Sequence, residues 1–457
     1  MLPTTSGGSS FTVAVPNETA LQRLVIDVAM ALAPGDLVTL SGDLGAGKTT
    51  FARALIRYLA GDNSIEVPSP SFNIVQGYEL PRFPLVHVDL YRLSGSAELA
   101  ELGFDDLSDE EVVLLEWPDR AAGYLPPDRF DIALTIVPQL GLEYRDVRVT
   151  GYGVMAPRVE RIRAIRDFLD DSGFAAAQRR HVQGDASTRS YERLVLNGHS
   201  YMLMNAPRRA DGPPVRGGKP YSAIAHLAED VTPFVAMTRA LRARGLSAPD
   251  VLHADMAQGL LVIEDLGDDR FVAGDPPVPI EDRYAAAVDL LADLHRHDLP
   301  SVLPVSPHVE HRIPSYDIEA FLIEVDLLVD WYLPHMQAAI PYSVHKRFVA
   351  LWRDALQPAI EANSTWVLRD FHSPNLLWLA ERSGIARVGL LDFQDAVMGP
   401  DAYDLASLLQ DARVDIPESM ELALIGRYVR ARRAADPDFD AALFARRYAT
   451  MAAQRST

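Results

Sequence analysis

The sequence contains no cysteine, which excludes disulfides, thiol nucleophiles and cysteine-based zinc sites. It also lacks any run of about 18 apolar residues, the length that a membrane-spanning helix needs. The first residues have neither the basic start nor the apolar centre of a secretory signal. These absences predict no membrane role and a cytoplasmic location, with residues 1–9 as a flexible leader.

Positive charge is scarce as well. The 457 residues include 43 lysines and arginines against 63 acidic residues, and the net charge is −20. A protein with this charge repels a polyanion at long range, so any role with a nucleic acid would be indirect and would need a partner with a basic surface. The charge is spread along the sequence, which favours an acidic enzyme.

A phosphate-binding loop is the clearest motif that is present. Residues 41–50 read Ser-Gly-Asp-Leu-Gly-Ala-Gly-Lys-Thr-Thr and fit G-x-x-x-x-G-K-[ST] at every specified position. A strand pattern precedes the loop and a helical pattern follows it, so backbone N–H groups would converge on one anion. Lys48 would reach the β- and γ-phosphates of ATP, and the Thr49 hydroxyl would bind Mg²⁺. A glycine-rich turn that binds nothing is the alternative. The residues predicted to contact ATP are Gly42, Asp43, Leu44, Gly45, Ala46, Gly47, Lys48, Thr49 and Thr50.

Two carboxylates end apolar runs farther along the chain. Asp89 follows the run at 85–88, and Glu116 follows the run at 112–115. A Mg²⁺-dependent NTPase needs carboxylates at strand ends to hold the metal's water shell and to orient the attacking water. Ordinary surface carboxylates are the alternative. Together with the phosphate loop, the pattern favours Asp89 as a metal ligand and Glu116 as both metal ligand and catalytic group.

This order of motifs resembles the TsaE family of small P-loop ATPases. The resemblance rests on the phosphate loop followed by SPSF at 69–72, HVDLYR at 87–92 and LEWP at 115–118, and it covers about residues 10–150. It implies ATP hydrolysis within the complex that forms threonylcarbamoyladenosine in tRNA, with TsaB- and TsaD-like partners. It also assigns Asp89 and Glu116 to metal and water. Ser71 stands where the family usually has Thr, which retains the hydroxyl group.

The second part of the chain has the pattern of a kinase, because strand-like pieces precede mainly helical sequence from about residue 281. A D-x-x-x-x-N motif at 370–375 is followed by D-F at 392–393. Phosphoryl transfer to a hydroxyl needs one carboxylate that accepts the proton, and an amide oxygen and a second carboxylate that hold Mg²⁺ across the phosphates. Asp370, Asn375 and Asp392 fit these three roles, with ordinary loop residues as the alternative.

This part resembles the aminoglycoside-phosphotransferase-like kinases, and among them the AmgK branch of anomeric N-acetylmuramate and N-acetylglucosamine kinases. GDASTRSYER at 184–193, MLMNAP at 202–207 and LVIEDLG at 261–267 carry the resemblance, which covers about residues 157–457. It implies ATP-dependent phosphorylation of an amino sugar in cell-wall recycling. The residues that it places at ATP are Ser187, Arg189, Glu264 and Leu266. Carboxylates expected to bind acceptor hydroxyls are Glu324, Asp326 and Asp395.

Two further features of this part predict local structure. Trp331 and Tyr332 could stack on a sugar ring, but their helical spacing predicts that they pack in the core. Residues 208–220 mix glycine and proline with four cations, which predicts a mobile, solvated loop.

Two departures from the kinase pattern leave alternatives open. Leu368 stands where the kinase superfamily has His, so His372 would have to orient Asp370. The strand at 201–204 lacks the Lys that binds the α- and β-phosphates, and Arg189 or Arg193 would have to replace it. One alternative is therefore a pseudokinase that serves as a scaffold. Another is a phosphotransferase with a different small acceptor, such as an aminoglycoside.

We therefore expect two domains after the leader. The first is an α/β P-loop NTPase domain at 10–153. The second is an α+β, protein-kinase-like bilobal domain of the aminoglycoside phosphotransferase type, with an N-lobe at 157–268 and a C-lobe at 269–457. The predicted function is bifunctional, with ATP and Mg²⁺ as cofactors of both domains.

Overall fold

The structure is a computed structural model that describes residues 8–70, 74–93, 110–121, 123–182, 189–209, 211–362 and 364–456. The chain divides into two compact units, Met1–His181 and Val182–Thr457. Within the described ranges, no helix is both long enough and apolar enough to cross a membrane.

The first unit is built around a seven-stranded sheet. Its strands are β1 (Ser9–Val15), β2 (Leu37–Ser41), β3 (Val75–Tyr78), β4 (Leu85–Asp89), β5 (Val112–Glu116), β6 (Arg129–Ile136) and β7 (Arg145–Tyr152). Its helices are α1 (Glu18–Ala31), α2 (Lys48–Ala60) and α3 (Ala156–Asp171). The strand order is β1-β7-β6-β2-β5-β4-β3. Because β5 runs parallel to both β2 and β4, these three strands end at the same edge of the sheet.

Local sequence explains the elements at that edge. All five residues of β4 and all five of β5 are buried, as expected for apolar runs in the middle of a parallel sheet. Upstream, the Asn17 side chain accepts a hydrogen bond of 3.0 Å from the backbone N–H of Ala20 and caps α1. The strands expected from the apolar runs at 85–88 and 112–115 are confirmed.

Helix α3 packs on the first unit, although the sequence analysis assigned it to the second domain. Val159 and Ile162 are buried in the same hydrophobic core as β1, β2 and β7. Arg158 and Arg166 form ion pairs with Asp36 and Asp27. The units consequently divide at residue 181, after α3 and not at 153–157. Helical spacing shows that one face of α3 is buried, but it does not identify the surface that the face covers.

A five-stranded sheet with its flanking helices comes next, and all of it except most of one edge strand lies after residue 181. Its strands are β8 (Gln178–Val182), β9 (Ser190–Leu196), β10 (His199–Asn205), β13 (Val251–Asp255) and β14 (Leu260–Glu264), in the order β13-β14-β10-β9-β8. The hairpin β11 (Pro214–Arg216) and β12 (Lys219–Pro220) leads into α4 (Tyr221–Ala225), and α5 (Thr232–Arg242) follows. The turn between β9 and β10 has positive φ at Asn197 and Gly198, 53° and 78°. Positive φ at both positions is typical of a two-residue hairpin turn with the sequence Asn-Gly.

The remainder of the second unit is mainly helical. Its helices are α6 (Glu281–Leu294), α7 (Ile318–Leu327), α8 (Leu333–His335), α9 (Tyr342–Ala362), α10 (Tyr403–Leu409), α11 (Glu418–Ala435) and α12 (Ala441–Arg455). Short strand pairs join them: β15 (Val272–Ala273) with β16 (Val278–Pro279), β17 (Val302–Ser306) with β18 (Val309–Arg312), β19 (Thr365–Val367) with β22 (Val397–Gly399), and β20 (Leu376–Trp378) with β21 (Val388–Leu390). The last two pairs carry the loops that contain Asp370, Asn375 and Asp392.

Two local predictions for the second unit are wrong. Trp331 and Tyr332 were expected in the core, but they lie on a π-helical segment, Leu328–Tyr332, and are 74% and 54% exposed. Residues 208–220 were expected to form a solvated loop, but they include the β11–β12 hairpin, from which Arg216 reaches the buried carboxylate of Asp326. This ion pair could not be seen from composition, since its partner lies far along the chain.

Candidate active sites

The phosphate loop joins β2 to α2 at the carboxyl edge of the parallel strands. Gly42, Gly45 and Gly47 have φ values of 137°, 80° and 106°, which side chains rarely adopt. At Gly42 a Cβ atom would lie only 2.4 Å from the carbonyl oxygen of Leu134, so glycine is also required for space. The sequence therefore forms the curved backbone that lets N–H groups and the start of α2 face one anion.

Lys48 is held within this loop. Its Nζ donates hydrogen bonds to the carbonyl oxygens of Gly42 and Asp43, at 2.8 and 3.0 Å. The same nitrogen lies 3.5 Å from the ring centre of Trp117, an arrangement that stabilises the cation. Burial lowers the pKa of Lys48, while Glu116, Asp89 and Asp43 oppose that shift. The ammonium group is thus held against the backbone of the phosphate loop.

The predicted carboxylates lie beside the loop. Thr49 Oγ1 donates to Glu116 Oε2 at 2.9 Å, and His87 Nε2 lies 3.0 Å from Glu116 Oε1. Asp89 is the neighbour of Glu116 in the β4–β5 register, and its Oδ2 accepts a 2.7 Å hydrogen bond from Ser69. The fold therefore brings Thr49, Glu116 and Asp89 to the same edge of the sheet. Ser71 lies outside the described residues.

The other predicted loop residues differ in their surroundings. Leu44 is 72% exposed, whereas Ala46 is buried and its carbonyl oxygen accepts a 2.9 Å hydrogen bond from Arg145 Nε. Arg145, at the start of β7, was not predicted as a site residue. His87 and Trp117 were part of recognised motifs, but no role was predicted for either.

The second site lies on the loops between β19 and β20 and after β21. Asn375 Nδ2 donates to the carbonyl oxygen of Asp370 at 3.1 Å and lies 3.5 Å from Asp392 Oδ2. The backbone N–H of Leu391 donates to the carbonyl oxygen of Asn375 at 2.9 Å, which fixes the two loops together. The fold therefore groups the three predicted side chains. Asp392 has a φ of 55°, a strained value of the kind found at functional sites.

The Asp370 carboxyl group is partly exposed to solvent, and its pKa is raised. Its side chain keeps 37% of its surface accessible, so a substrate can reach it. Burial by the surrounding protein raises the pKa of Asp370 to about 6, and the negative charge of Asp392 adds to this shift, while Arg455 opposes it. His372, expected to orient Asp370, has its Nε2 3.9 Å from Asp370 Oδ1. That distance is too long for a hydrogen bond.

The two arginines considered as substitutes for the missing Lys have different partners. Arg189 Nη1 lies 3.2 Å from Asp392 Oδ1, so it reaches the catalytic group. Arg193 instead pairs with Asp265 and Asp268, at 2.8 Å in each case. Among the described residues, Arg189 contacts the Asp370–Asn375–Asp392 group and Arg193 does not. Ser187 lies outside the described residues.

Glu264 and Leu266, which the resemblance places at ATP, lie at the end of β14 and just after it. The side chain of Glu264 is bound by Arg242 and Arg382, and its backbone N–H donates to the carbonyl oxygen of Asp250 at 2.8 Å. Leu266 is buried and packs near Gly389, where an added Cβ would lie 3.2 Å from Leu266 Cδ1. The Glu264 carboxylate thus has a structural ion-pair role in addition to any contact with adenine.

The three predicted acceptor carboxylates occupy different surroundings. Glu324 pairs with Arg369 and accepts a 2.6 Å hydrogen bond from the Tyr316 hydroxyl. Asp395 Oδ1 accepts a 2.6 Å hydrogen bond from the backbone N–H of Ala228. Asp326 is occupied by Arg216 and by His345, whose Nε2 is 2.9 Å away. Glu324 adjoins the loop that holds Asp370 through its ion pair with Arg369, whereas Asp326 forms no ion pair or side-chain hydrogen bond with that loop among the described residues.

Two residues that sequence reasoning missed support the catalytic loop. Asp404, in α10, accepts hydrogen bonds from the backbone N–H groups of Leu368 and Arg369, at 2.6 and 2.9 Å. Burial raises the pKa of Asp404 to about 7. Arg455, at the end of α12, donates to the carbonyl oxygen of Arg369 at 3.4 Å. Neither belongs to a short motif, so no local pattern marked them.

The residues present fit Mg²⁺ bound together with nucleotide phosphates. No group of three or more His, Cys, Asp or Glu side chains in the described ranges is arranged to hold a metal by itself. Mg²⁺ commonly takes only one or two carboxylates and fills its other positions with phosphate and water oxygens. Asp392 with the amide of Asn375 meets this requirement in the second unit, and Thr49 with Glu116 and Asp89 meets it in the first.

Comparisons with known proteins assign both units to families. The family model described as "Threonylcarbamoyl adenosine biosynthesis protein TsaE" matches residues 15–140, and the "Phosphotransferase enzyme family" model matches residues 178–442. These matches confirm the expected fold class, an α/β P-loop domain followed by a kinase-like domain of the phosphotransferase type.

Individual relatives agree with the family models. An N-acetylmuramate/N-acetylglucosamine kinase of Caulobacter vibrioides is 38% identical over 308 residues, which are 64% of this chain and 82% of the relative. A kinase of the same name from Pseudomonas aeruginosa is 30% identical over 248 residues, 54% of this chain and 64% of the relative. A tRNA threonylcarbamoyladenosine biosynthesis protein TsaE of Rickettsia felis is 38% identical over 121 residues, 26% of this chain and 70% of the relative. The chain therefore belongs to the phosphotransferase enzyme family, and it carries a TsaE-family domain before the phosphotransferase domain.

Proposed function

We propose that the chain is a bifunctional enzyme. Its first unit hydrolyses ATP in support of the formation of threonylcarbamoyladenosine in tRNA. Its second unit uses ATP to phosphorylate the anomeric hydroxyl of N-acetylmuramate or N-acetylglucosamine. The observation that carries the kinase assignment is the grouping of Asp370, Asn375 and Asp392 in a unit 38% identical to a kinase named for these sugars.

In the proposed kinase reaction, Asp370 accepts the proton of the anomeric hydroxyl as that oxygen bonds to the γ-phosphorus of ATP. The bond from the γ-phosphorus to the bridging oxygen breaks, and ADP is the leaving group. Asn375 and Asp392 would hold Mg²⁺, which supplies positive charge against the phosphates. Arg189 would add the charge that the missing strand Lys provides in related kinases. Glu324 and Asp395 would bind acceptor hydroxyls.

In the proposed ATPase reaction, Lys48 exchanges the carbonyl oxygens of its own loop for the β- and γ-phosphates. The backbone from Gly42 to Thr50 surrounds the phosphates, and Thr49 and Asp89 would hold Mg²⁺. Glu116 would orient the attacking water, because Thr49 and His87 fix both of its carboxylate oxygens.

Partners follow from the family of the first unit. We propose that TsaB- and TsaD-like subunits bind it and contact the tRNA, since a chain with a net charge of −20 is poorly suited to bind RNA by itself. Both reactions consume ATP, and we place the protein in the cytoplasm for that reason.

The kinase is tested by incubating the full chain with ATP and, separately, N-acetylmuramate, N-acetylglucosamine and kanamycin. We expect phosphate on the anomeric carbon of the amino sugars, read by NMR, and no product from Asp370→Asn. A product phosphorylated at another carbon, or only on kanamycin, would show that the acceptor is different. Absence of any product would favour a pseudokinase.

The ATPase is tested with the partner subunits present, because the proposed reaction takes place in their complex. For Lys48→Ala we expect phosphate release to fall to the level of the partners alone. Arg53→Ala on the same helix is the control, since the Arg53 side chain donates to the carbonyl oxygen of Val67 and forms no ion pair with any described residue. Equal turnover by Lys48→Ala and the unmodified chain would exclude this site.

A further inference from the structure

The last turn of α12 places a cation beside the catalytic loop. Arg455 Nη1 donates to the Tyr403 hydroxyl at 2.8 Å and to the carbonyl oxygen of Arg369 at 3.4 Å. Its neighbour Gln454 donates to Glu324 Oε2 at 3.0 Å, which ties this turn to α7. The guanidinium therefore lies next to the residue that precedes Asp370, at a position set by two elements of the fold.

This cation is not neutralised by a direct ion pair. Within the described ranges, no carboxylate lies within 4.0 Å of the Arg455 guanidinium, whereas the nearby Glu324 is already paired with Arg369. Both recorded hydrogen bonds of Arg455 come from Nη1 and go to uncharged oxygens. An arginine has five N–H donors in a planar fork that matches a carboxylate. Nη2 and Nε are thus suited to bind an additional anionic group.

The contacts of Arg455 favour the acceptor side of the site. Its partner Tyr403 is bonded to Tyr316, which in turn donates to Glu324. The residues proposed to bind Mg²⁺ and the phosphates are Asn375, Asp392 and Arg189. Among the described residues, Arg455 forms no hydrogen bond with any of these three. An anion at Arg455 is therefore expected to belong to the acceptor and not to ATP.

We propose that Arg455 binds the carboxylate of a carboxylated amino sugar while the anomeric hydroxyl of that sugar lies at Asp370. This inference rests on the proposed kinase function and adds a specificity-determining residue to it. N-Acetylmuramate carries a lactyl carboxylate, whereas N-acetylglucosamine has no charged group. Arg455 would thus distinguish two acceptors that share a ring and an acetamido group.

The test compares both sugars on the full chain and three variants. Arg455→Gln keeps hydrogen-bond donors but removes the charge, Arg455→Lys keeps the charge, and Arg446→Gln removes an exposed arginine from the same helix. For Arg455→Gln we expect kcat/KM for N-acetylmuramate to fall about tenfold or more relative to kcat/KM for N-acetylglucosamine, because the lost contact with the Asp370 loop affects both sugars equally, whereas the lost carboxylate contact affects N-acetylmuramate alone. Arg455→Lys should recover part of the loss, and Arg446→Gln should match the unmodified chain.

A second experiment measures the affinity of both sugars by calorimetry, with a non-hydrolysable ATP analogue present. It tests the role of Arg455 independently of sugar phosphorylation. Binding of N-acetylmuramate that weakens in Arg455→Gln would support the inference even if no sugar were phosphorylated. Phosphorylation of both sugars with no selective effect of Arg455→Gln would overturn the inference and leave the proposed function standing. An equal loss for both sugars would also overturn it, because a role in loop structure or phosphate binding does not discriminate between acceptors. Failure to bind or phosphorylate either sugar would overturn both.

Discussion

At the scale of single residues, the pKa of Asp370 suits the proton-accepting role that we propose for it. A general base works best when its pKa lies near the working pH, and an ordinary Asp is too acidic for that. Burial, together with the charge of Asp392, raises the pKa of Asp370 to about 6. The group is then still ionised at neutral pH, yet it is a stronger base than an exposed carboxylate.

The raised pKa of Asp370 predicts how the kinase activity depends on pH. Asp370 must be ionised to accept a proton, so activity should be lost as the pH falls through its pKa and should rise with increasing pH. The midpoint of that limb in kcat/KM should lie at or below about 6, since bound Mg²⁺ adds positive charge that lowers the pKa of Asp370. Initial rates between pH 4.5 and 8 measure it. A limb centred above pH 7 would contradict this role.

Arg189 provides a second test at the residue scale. Because it contacts Asp392, Arg189→Met should raise the KM for ATP or lower kcat by about tenfold. Arg193→Met is the matched control, because Arg193 pairs with Asp265 and Asp268 and should leave both constants within about twofold. Steady-state kinetics with a fixed amino sugar separate the two effects. If Arg193→Met lowered activity and Arg189→Met did not, Arg193 and not Arg189 would be the cation that replaces the missing Lys.

At the scale of elements, α3 determines where the first unit can be separated from the rest. Val159 and Ile162 of this helix fill its core, and Arg158 and Arg166 anchor it to carboxylates. Removing the helix would expose these apolar contacts and leave Asp27 and Asp36 without those cations. Such a loss is comparable to the whole stability of a small domain, about 5–15 kcal/mol.

This packing predicts different behaviour for two fragments of the chain. Residues 8–175 should unfold cooperatively on heating, whereas residues 8–155 should be unfolded or aggregated, because they lack α3. Circular dichroism during thermal unfolding and size-exclusion chromatography provide the measurements. A fragment of residues 8–155 that is monomeric and unfolds as sharply as the longer one would show that α3 is dispensable.

The elements also show what the sequence could and could not reveal. Strands β4 and β5 were predictable because each has a short run rich in Val and Leu, which is typical of a buried strand. The contact surface of α3 and the exposure of Trp331 were not, since helical spacing identifies a face and not its partner. The three polar groups of the kinase site were found because they share two short motifs. Arg145, Asp404 and Arg455 were missed because each reaches its site from a distant element.

At the scale of the whole molecule, two ATP sites belong to separate compact units. The phosphate loop, Glu116 and Asp89 all lie before residue 181, and Asp370, Asn375 and Asp392 all lie after it. The two sites share no side chain, and the means of phosphate binding that we propose for them differ: a glycine-rich loop in one and a pair of metal ligands in the other.

We therefore expect the two activities to be lost independently. Lys48→Ala should abolish partner-dependent ATP hydrolysis and leave sugar phosphorylation within about twofold, and Asp370→Asn should have the reverse effect. Both activities are measured on the same preparation of full-length chain, with a melting temperature for each variant. A fall of both activities in either variant, without unfolding, would show that the units are coupled.

The contact between Lys48 and Trp117 has a practical consequence for observing the first unit. Of the five tryptophans in the chain, only Trp117 lies before residue 181. The centre of its indole ring is 3.5 Å from the Lys48 ammonium group, which moves towards the phosphates in the ATPase reaction that we propose. With the other four tryptophans replaced by phenylalanine, the emission of this single fluorophore would report nucleotide arrival at the loop in real time, without a label and without turnover.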